Sequence, residues 1–161
     1  MDVNKIIVQF GRDRFSPNWI SCFTYAPPWR EYRLAFWNDV GEFIGALSNP
    51  WLVMGDLNSV LFANEKIGGK AITRAEGEGL RNFIFNHGAI DLIGVGALFT
   101  WTYGQDADKL IRERLDRVIV SPDWITQFKK AGVKNLAIRQ SDHAPIILDT
   151  RMERESFFAP F

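Results

Sequence analysis

A strand–helix–strand unit between residues 19 and 54 is the feature that most constrains the fold of this chain. Residues 19–25, WISCFTY, are rich in β-branched and aromatic side chains, and a proline pair soon afterwards ends the predicted strand. Apolar residues then recur at helical spacing, which predicts an amphipathic helix over 31–47. Residues 51–54, WLVM, predict a second strand. This alternation favours an α/β (α+β) fold.

The remaining segments add more strands than helices. Thr73 and Glu76 have the spacing of a capping box, which predicts the start of a helix, and Gly88 suits its C-terminal end. Ser121-Pro122 predicts a short helix with serine as its N-cap. Further strands are predicted at 6–9, 115–120, 135–139 and 144–148, with short β segments within 90–103 and a polar loop at 64–72.

Composition excludes several classes of protein. The 161 residues suit one domain, and the 47 % hydrophobic content is sufficient for a core. Lys plus Arg equals Asp plus Glu, 19 each, so the chain is not a purely electrostatic nucleic-acid binder. We expect no membrane span, because no apolar run approaches about 18 residues. We expect no signal peptide, because the N-terminal MDVNKIIVQFGRDRF lacks the apolar region of a signal sequence. The single Cys22, expected in the core, excludes an intrachain disulfide and fits a reducing, intracellular compartment.

Polar side chains lie at the ends of several predicted strands. The residues are Tyr25, Asp56, Asn58, Asp116, Asp142 and His143. If these strand ends meet on one face of a sheet, they bring together three carboxylates, an imidazole, a carboxamide and a phenol. Such a set suits metal-assisted hydrolysis of a phosphate ester, because carboxylates bind Mg²⁺ and a histidine paired with an aspartate transfers protons.

The segment Gly-Asp-Leu-Asn at 55–58 has two interpretations. Asp and Asn favour turns at strand ends because their side chains hydrogen-bond to nearby backbone. Alternatively, Asp56 and Asn58 face a phosphate. The residues of this segment alone leave both interpretations open.

Five short motifs occur along the chain. They are YAP at 25–27, GDLN at 55–58, FTW at 99–101, RLDR at 114–117 and SDH at 141–143. In this order the motifs resemble the endonuclease/exonuclease/phosphatase superfamily, which includes apurinic endonucleases and DNase I. The pattern FTYAPPWREYRLAFWNDV and the tail near SFFAPF are similar to the endonuclease domain of LINE-type (non-LTR) retrotransposons in plants. The resemblance implies a DNase I-like sandwich of two β-sheets with helices outside, in residues 1–150, followed by a tail at 151–161.

The resemblance also implies roles for the residues at the strand ends. Asp56 resembles the aspartate that orients or deprotonates the attacking water. Asn58 resembles the asparagine that binds the phosphate and positions that aspartate. Asp116 resembles the aspartate that orients the histidine, and His143 resembles the histidine that contacts the scissile phosphate. Tyr25 resembles a phenol near the phosphate.

Asp142 resembles an aspartate of the metal site, so the resemblance implies Mg²⁺ or Mn²⁺ as the cofactor. It implies DNA as the substrate and, in the parent element, a reverse transcriptase domain as the partner. Trp101 and Arg117 also belong to the motifs, although packing or structural pairing explains them equally well.

One departure from the family pattern concerns the metal. In the family, a glutamate that is a principal metal ligand precedes the strand that ends in the tyrosine. Here 24 residues precede Tyr25, and they contain Asp2 and Asp13 but no glutamate. We therefore expect an N-terminally incomplete domain that binds the cation weakly, if at all, and has little or no nuclease activity. The alternative is a non-catalytic remnant, or a module that binds nucleic acid or a partner.

Three other features are expected to be structural. His87 is predicted in the last turn of a helix, where a histidine favours the helix dipole. The glycine pair in Gly68-Gly69-Lys70 lacks the full pattern of a phosphate loop and predicts a surface loop. The basic run 109–117 is expected to be a solvated hairpin, with contact to a nucleic-acid backbone as the alternative.

Overall fold

A computed structural model describes residues 4–11, 18–104, 106 and 109–152 of the chain. Asp2, Asp13 and most of the 151–161 tail, for which expectations were given above, lie outside the described residues. None of the helices in these ranges has the length and apolar character needed to cross a bilayer.

Short strands make up most of the regular structure in the described ranges. The strands are β1 (Lys5–Phe10), β2 (Trp19–Tyr25), β3 (Trp51–Asp56), β4 (Lys66–Ile67), β5 (Ile90–Asp91), β6 (Val95–Gly96), β7 (Trp101–Tyr103), β8 (Ile111–Glu113), β9 (Asp116–Val120), β10 (Gly132–Asn135) and β11 (Ile146–Asp149). The helices are α1 (Arg30–Gly45), α2 (Glu78–Asn86) and α3 (Pro122–Gln127), with a 3₁₀ turn at Ala63–Glu65.

The largest sheet has the strand order β1-β2-β3-β9-β5. β2 and β3 pair in parallel because α1 returns the chain across the sheet between them. β1, β9 and β5 pair antiparallel to their neighbours. As a result β2 and β3 end at the same edge of the sheet at which β9 begins.

Successive side chains of this sheet point to opposite faces, as in any β-strand, and each face packs into its own hydrophobic core. Val53 and Ile119 pack with the helices, among the buried side chains Phe36, Trp37, Val40, Ile44, Leu80 and Phe83. Leu52 and Val118 point to the opposite face and pack with Trp124 of α3 and with β10. β10 belongs to a second sheet of order β11-β10-β6, and a third sheet has the order β4-β8-β7. The large sheet therefore lies between helices and a second sheet.

Several predictions from the sequence are confirmed. The strand predicted over 19–25 is β2, and the helix predicted over 31–47 is α1. Ser121 caps α3, because its Oγ accepts a hydrogen bond from the Trp124 amide at 3.2 Å. Cys22 is fully buried in the first core. Gly88, with a φ of 57°, follows the end of α2 in the left-handed conformation that suits glycine.

The predicted capping box is wrong. α2 begins at Glu78, and Thr73 and Glu76 instead form a turn in which the Glu76 amide donates to the Thr73 carbonyl at 3.0 Å. Gly77 passes so close to Val60 that a Cβ at Gly77 would lie 2.4 Å from the Val60 carbonyl oxygen. Gly77 is the N-cap of α2, and its backbone is packed against Val60 where the sequence pattern predicts a helical turn.

Two further segment predictions are wrong. The strand predicted over 135–139 lies at Gly132–Asn135, so it ends where the prediction has it begin. Burial of Val133 in the second core and pairing with β6 and β11 decide its position. The predicted polar loop 64–72 contains part of the 3₁₀ turn and β4, because β4 pairs with β8.

Four charged side chains form a buried ion-pair quartet, Glu65, Asp91, Arg114 and Arg117. Arg114 Nη1 lies 2.9 Å from Glu65 Oε1, and Arg114 Nη2 lies 2.7 Å from Asp91 Oδ1. Arg117 Nη1 lies 2.6 Å from Asp91 Oδ2, and Arg117 Nη2 also contacts Glu65. Arg114 is 2 % exposed and Arg117 is 1 % exposed. The prediction of a solvated hairpin over 109–117 is therefore wrong for these two arginines, because buried carboxylates compensate their charges.

Glu65 also binds the backbone of the segment that precedes it. Its Oε2 also accepts hydrogen bonds from the amides of Leu61 at 2.8 Å and Phe62 at 3.2 Å. Burial acts to raise the pKa of Glu65, but the hydrogen bonds and charges of Arg117 and Arg114, with the Leu61 amide, outweigh burial and lower the pKa. A carboxyl group with a lowered folded-state pKa stabilises the fold above its unfolded-state pKa. That stabilisation is lost as the pH falls through the folded-state pKa.

Replacing Glu65 with alanine should lower the free energy of unfolding by about 3 to 5 kcal/mol at neutral pH. The physical reason is that two buried guanidinium groups would share one remaining carboxylate. Urea denaturation followed by circular dichroism measures the loss. Because the variant lacks a carboxyl group of lowered pKa, its stability should also fall less than that of the wild type on acidification.

The control is Lys109→Ala, which removes an exposed ion pair with Asp106 at a distance of 3.9 Å. We expect this variant to change the free energy of unfolding by less than about 1 kcal/mol. A comparably small change for Glu65→Ala would show that the quartet does not stabilise the fold.

Candidate active site at one end of the sheet

Tyr25, Asp56 and Asp116 form a row across three adjacent strands at one end of the large sheet. Tyr25 is opposite Asp56 in the β2–β3 register, and Asp56 is opposite Asp116 in the β3–β9 register. Paired residues place their side chains on the same face of a sheet. The row therefore lies on the face that carries Leu52 and Val118, which packs against the second sheet.

Asp56 and Asn58 form a tight turn directly after β3. The Asn58 amide donates to Asp56 Oδ1 at 2.9 Å, and Asn58 Nδ2 donates to Asp56 Oδ2 at 3.2 Å and to the Ala26 carbonyl at 2.8 Å. Asn58 has a φ of 45°, a left-handed conformation that asparagine tolerates. The turn interpretation of this segment is thus correct, and the same contacts fix the orientation of the Asp56 carboxylate.

His143 lies between two of the carboxylates. Its Nδ1 is 2.9 Å from Asp116 Oδ2, which is hydrogen-bonding distance, and its Nε2 is 3.8 Å from Asp56 Oδ2. The His143 amide donates to Ser141 Oγ at 3.1 Å. The imidazole is therefore oriented by Asp116 on one side and faces Asp56 on the other.

Asp142 is adjacent in the chain and is held by β7. Its Oδ2 accepts a hydrogen bond from Trp101 Nε1 at 3.2 Å, and its carbonyl accepts one from the Thr102 amide at 2.9 Å. Trp101 also forms an isolated antiparallel bridge with His143. Of the two open roles for Trp101, the geometry gives it a structural one that holds the turn carrying His143.

The electrostatics of the site follow from three carboxylates around one imidazole. Burial alone would lower the pKa of His143, but the hydrogen bond and charge of Asp116, with the charges of Asp56 and Asp142, raise it. Burial raises the pKa of Asp56 and the charge of Asp116 raises it further, against the opposing hydrogen bond from the Asn58 amide. The surrounding carboxylates therefore favour the protonated form of His143 more than solvent does, and Asp56 is a stronger base than an exposed aspartate.

The structure does not bring every predicted residue into contact. Asp56, Asn58, Asp116 and His143 form one hydrogen-bonded or facing group, and Asp142 lies beside it. Tyr25 is next to Asp56 in the sheet but its side chain is 51 % exposed, and within the described residues its phenol has no hydrogen bond to the group. Arg117 belongs to the ion-pair quartet, which favours the structural pairing considered for it.

The described residues do not form a complete metal site. No group of three or more His, Cys, Asp or Glu side chains in these ranges is arranged to hold a metal ion. The carboxylates already have protein partners, since Asp116 binds His143, Asp56 accepts from Asn58 and Asp142 accepts from Trp101. A hard cation needs several oxygen ligands, and this arrangement does not supply them together.

Some residues around the site have no signal in the sequence pattern. Glu65 lies in a segment predicted as a loop, and nothing in its spacing from Arg114 indicates a contact. Arg33, on the first turns of α1, donates to the carbonyls of Pro27 at 3.0 Å and Pro28 at 2.6 Å and holds the segment after Tyr25. Sequence spacing carries no signal for these two contacts.

The chain belongs to the Endonuclease/Exonuclease/phosphatase family, whose model matches residues 2–143. This family generally depends on a divalent metal. A search of curated proteins found no match.

Two solved structures are similar to this chain in fold. The endonuclease domain of TRAS1, a telomere-specific non-LTR retrotransposon, has 17 % sequence identity and a TM-score of 0.63 over 94 % of this chain and 65 % of that chain. The beta toxin of Staphylococcus aureus has 14 % identity and a TM-score of 0.51 over 91 % of this chain and 54 % of that chain. This chain thus spans less than two thirds of the length of either protein. The predicted DNase I-like fold is confirmed.

Replacing Asp116 with asparagine should lower the pKa of His143, because the variant removes the charge and the strong acceptor that raise it. NMR titration of the His143 imidazole measures the pKa directly, with a His87→Gln variant to assign the resonances. A His143 pKa that stays where it is in the wild type would contradict this account.

From the hydrogen bond between Asp116 and His143 we also expect the free energy of unfolding to depend on pH. A histidine with a raised folded-state pKa contributes stability that is fully present below its unfolded-state pKa, about 6.5. That contribution is lost as the pH rises through the folded-state pKa. Urea denaturation at pH 6 and pH 8.5 should therefore show a larger difference between the two values of pH for the wild type than for Asp116→Asn.

Replacing Asp56 with asparagine should keep the fold and raise the melting temperature at neutral pH. The raised pKa of Asp56 means that ionisation costs stability above the folded-state pKa, and a neutral amide avoids this cost while its oxygen still accepts from the Asn58 amide. The replacement loses the hydrogen bond from Asn58 Nδ2, so the net gain should be small. The gain should shrink on acidification, when wild-type Asp56 is protonated. Asp106→Asn is the exposed control, and a lower melting temperature for Asp56→Asn at neutral pH would contradict the assignment.

Proposed function

We propose that this chain is a phosphodiester hydrolase domain of the endonuclease type that acts on DNA, and that its catalysis is weak or lost. The observation that carries the proposal is the junction of the Asp56–Asn58 turn with the His143–Asp116 pair at one end of the sheet. His143 Nδ1 lies 2.9 Å from Asp116 and His143 Nε2 lies 3.8 Å from Asp56. Packing alone would not require two carboxylates to flank one imidazole.

The residues suit hydrolysis of a phosphate ester in defined roles. Asp56, with its raised pKa, accepts a proton from the attacking water, and Asn58 holds its carboxylate in position. His143, with its raised pKa and oriented by Asp116, donates a hydrogen bond or a proton to a phosphoryl oxygen when its ring is protonated. Tyr25, exposed beside Asp56, offers a phenol to the phosphate.

The charge of the site explains why we expect weak catalysis. Three carboxylates, Asp56, Asp116 and Asp142, surround one imidazolium, so an approaching phosphate is repelled unless a cation offsets the negative charge. The described residues do not gather ligands for such a cation. We therefore propose that Mg²⁺ or Mn²⁺ is bound weakly, if at all.

A retroelement origin supports DNA as the substrate. The motifs of the chain resemble LINE-type (non-LTR) elements of plants, and the TRAS1 domain, which is similar in fold, is an endonuclease domain of a non-LTR retrotransposon. We propose that residues 1–150 are the hydrolase domain and that a reverse transcriptase domain is its partner in the parent element.

A non-catalytic remnant that binds nucleic acid or a protein partner is the alternative function. Ile6, 68 % exposed, is opposite Phe23, 38 % exposed, in the β1–β2 pair. Exposed apolar side chains on neighbouring strands are typical of a surface that another chain covers. This alternative keeps the fold and the family ancestry but needs no hydrolysis.

A plasmid-nicking assay on the purified, folded protein tests the proposal, with Mg²⁺, with EDTA and with the variant His143→Ala. We expect slow nicking or none from the wild type. Any nicking should fall by about 100-fold or more in His143→Ala, because general acid–base catalysis contributes at least this factor.

The matched control is replacement of the other histidine, His87→Ala, on the helical side of the sheet, where the ring packs against Phe83. Nicking that survives His143→Ala would overturn the proposed site. Rapid Mg²⁺-dependent nicking by the wild type would overturn the proposal that catalysis is weak or lost. Complete absence of nicking from a folded sample would favour the non-catalytic alternative.

A further inference from the structure

Thr100 lies between the two halves of the candidate site. Its side chain is fully buried, and its Oγ1 accepts hydrogen bonds from the amides of Leu115 at 3.0 Å and Asp116 at 2.9 Å. Its carbonyl oxygen accepts a hydrogen bond from the Ala144 amide at 2.7 Å. One residue therefore binds the backbone of Asp116 and the backbone immediately after His143.

The two amides held by the hydroxyl lie at a corner of the chain. β8 ends at Glu113 in the third sheet, and β9 begins at Asp116 in the largest sheet. Buried amides need acceptors, and a hydroxyl oxygen has two lone pairs with which to accept both hydrogen bonds. The Thr100 amide donates in turn to the Glu113 carbonyl at 3.0 Å, which fixes Thr100 against the same corner.

We propose that Thr100 is a positioning residue that sets the separation of Asp116 and His143. Thr100 Oγ1 holds the backbone amide of Asp116, and the Thr100 carbonyl oxygen holds the amide of the residue after His143. A shift of either Thr100 oxygen would therefore change the 2.9 Å distance between Asp116 Oδ2 and His143 Nδ1. Thr100 touches no substrate and acts through this pair. Only its effect on hydrolysis rests on the proposed function, whereas the positioning itself does not.

The substitution Thr100→Val tests the inference, because valine has nearly the same shape but no acceptor. Thr100→Ser keeps the acceptor and is the conservative rescue. Ser121→Ala is a matched control for lost stability, since Ser121 Oγ also accepts from two buried backbone amides, of Trp51 at 3.1 Å and Trp124 at 3.2 Å, at the opposite end of β9.

The first readout is the downfield proton NMR resonance of the His143 Nδ1–H that is hydrogen-bonded to Asp116, recorded below the pKa of His143. We expect Thr100→Val to lose or shift this resonance, while Thr100→Ser and Ser121→Ala retain it. If Thr100→Val does not fold, Thr100→Ala removes the hydroxyl without a new methyl contact and is measured instead.

The second readout is the nicking rate where the wild type nicks DNA. We expect Thr100→Val to lower kcat by on the order of 10- to 100-fold, with rescue by Thr100→Ser, because small displacements of catalytic groups have such effects. An unchanged resonance in Thr100→Val would overturn the inference. Unfolding of both hydroxyl-free variants would also overturn it, because Thr100 would then be a general structural residue. An altered resonance in a protein that does not nick DNA would support the positioning and refute only the hydrolase function.

Discussion

The ion pairs among Glu65, Asp91, Arg114 and Arg117 are the interaction on which the arrangement of the site depends. They join the segment after β3, the strand β5 and the start of β9, three pieces that are far apart in the sequence. Burying four charges is unfavourable unless each charge has a partner in good geometry. Separating these segments would leave buried charges without partners, so the quartet favours the observed arrangement of the three pieces.

β9 links the ion-pair quartet on one face of the large sheet to the candidate site on the opposite face. Arg117 and Ile119 point towards the helices, whereas Asp116 and Val118 point towards the second sheet. The same strand therefore carries a member of the quartet on one face and a candidate catalytic carboxylate on the other. The loop of Asn58 is fixed in a similar way, since the Leu57 amide donates to the Leu115 carbonyl at 2.9 Å and the loop ends at Glu65.

Features of the fold that depend on residues close together in the sequence could be predicted, whereas features that depend on distant contacts could not. The strand Trp19–Tyr25, the helix α1 and the Ser121 cap follow from periodicity and local hydrogen bonding, and their predictions are confirmed. The Thr73 capping box does not form, and the close packing of Gly77, the N-cap of α2, against Val60 has no signal in the local sequence. The burial of Arg114 has no local signal, because its partners Glu65 and Asp91 lie dozens of residues away, whereas structural pairing is one of the explanations that the sequence offers for Arg117.

The candidate site likewise combines features that depend on local sequence with features that depend on distant contacts. Local pattern indicated the Asp56–Asn58 turn, but the pairing of Asp116 with His143 spans 27 residues and has no local signal. Only the order of the five motifs, through their family resemblance, indicated that these strand ends meet. Thr100 lies within one of those motifs, yet its hydrogen bonds to the Asp116 and Ala144 backbone are visible only in three dimensions.

The energetics of Asp56 bear on whether the site is more than a turn. A turn needs only one oxygen of Asp56 to accept the Asn58 amide, and a neutral asparagine at the same position would provide it. The carboxylate instead has a raised pKa, because burial and the charge of Asp116 disfavour its ionised form relative to that of an exposed aspartate. Clusters of titratable groups that lower stability are typical of functional sites. A charged arrangement that a turn does not require is therefore better explained by an ancestry in phosphoester chemistry than by the needs of the fold.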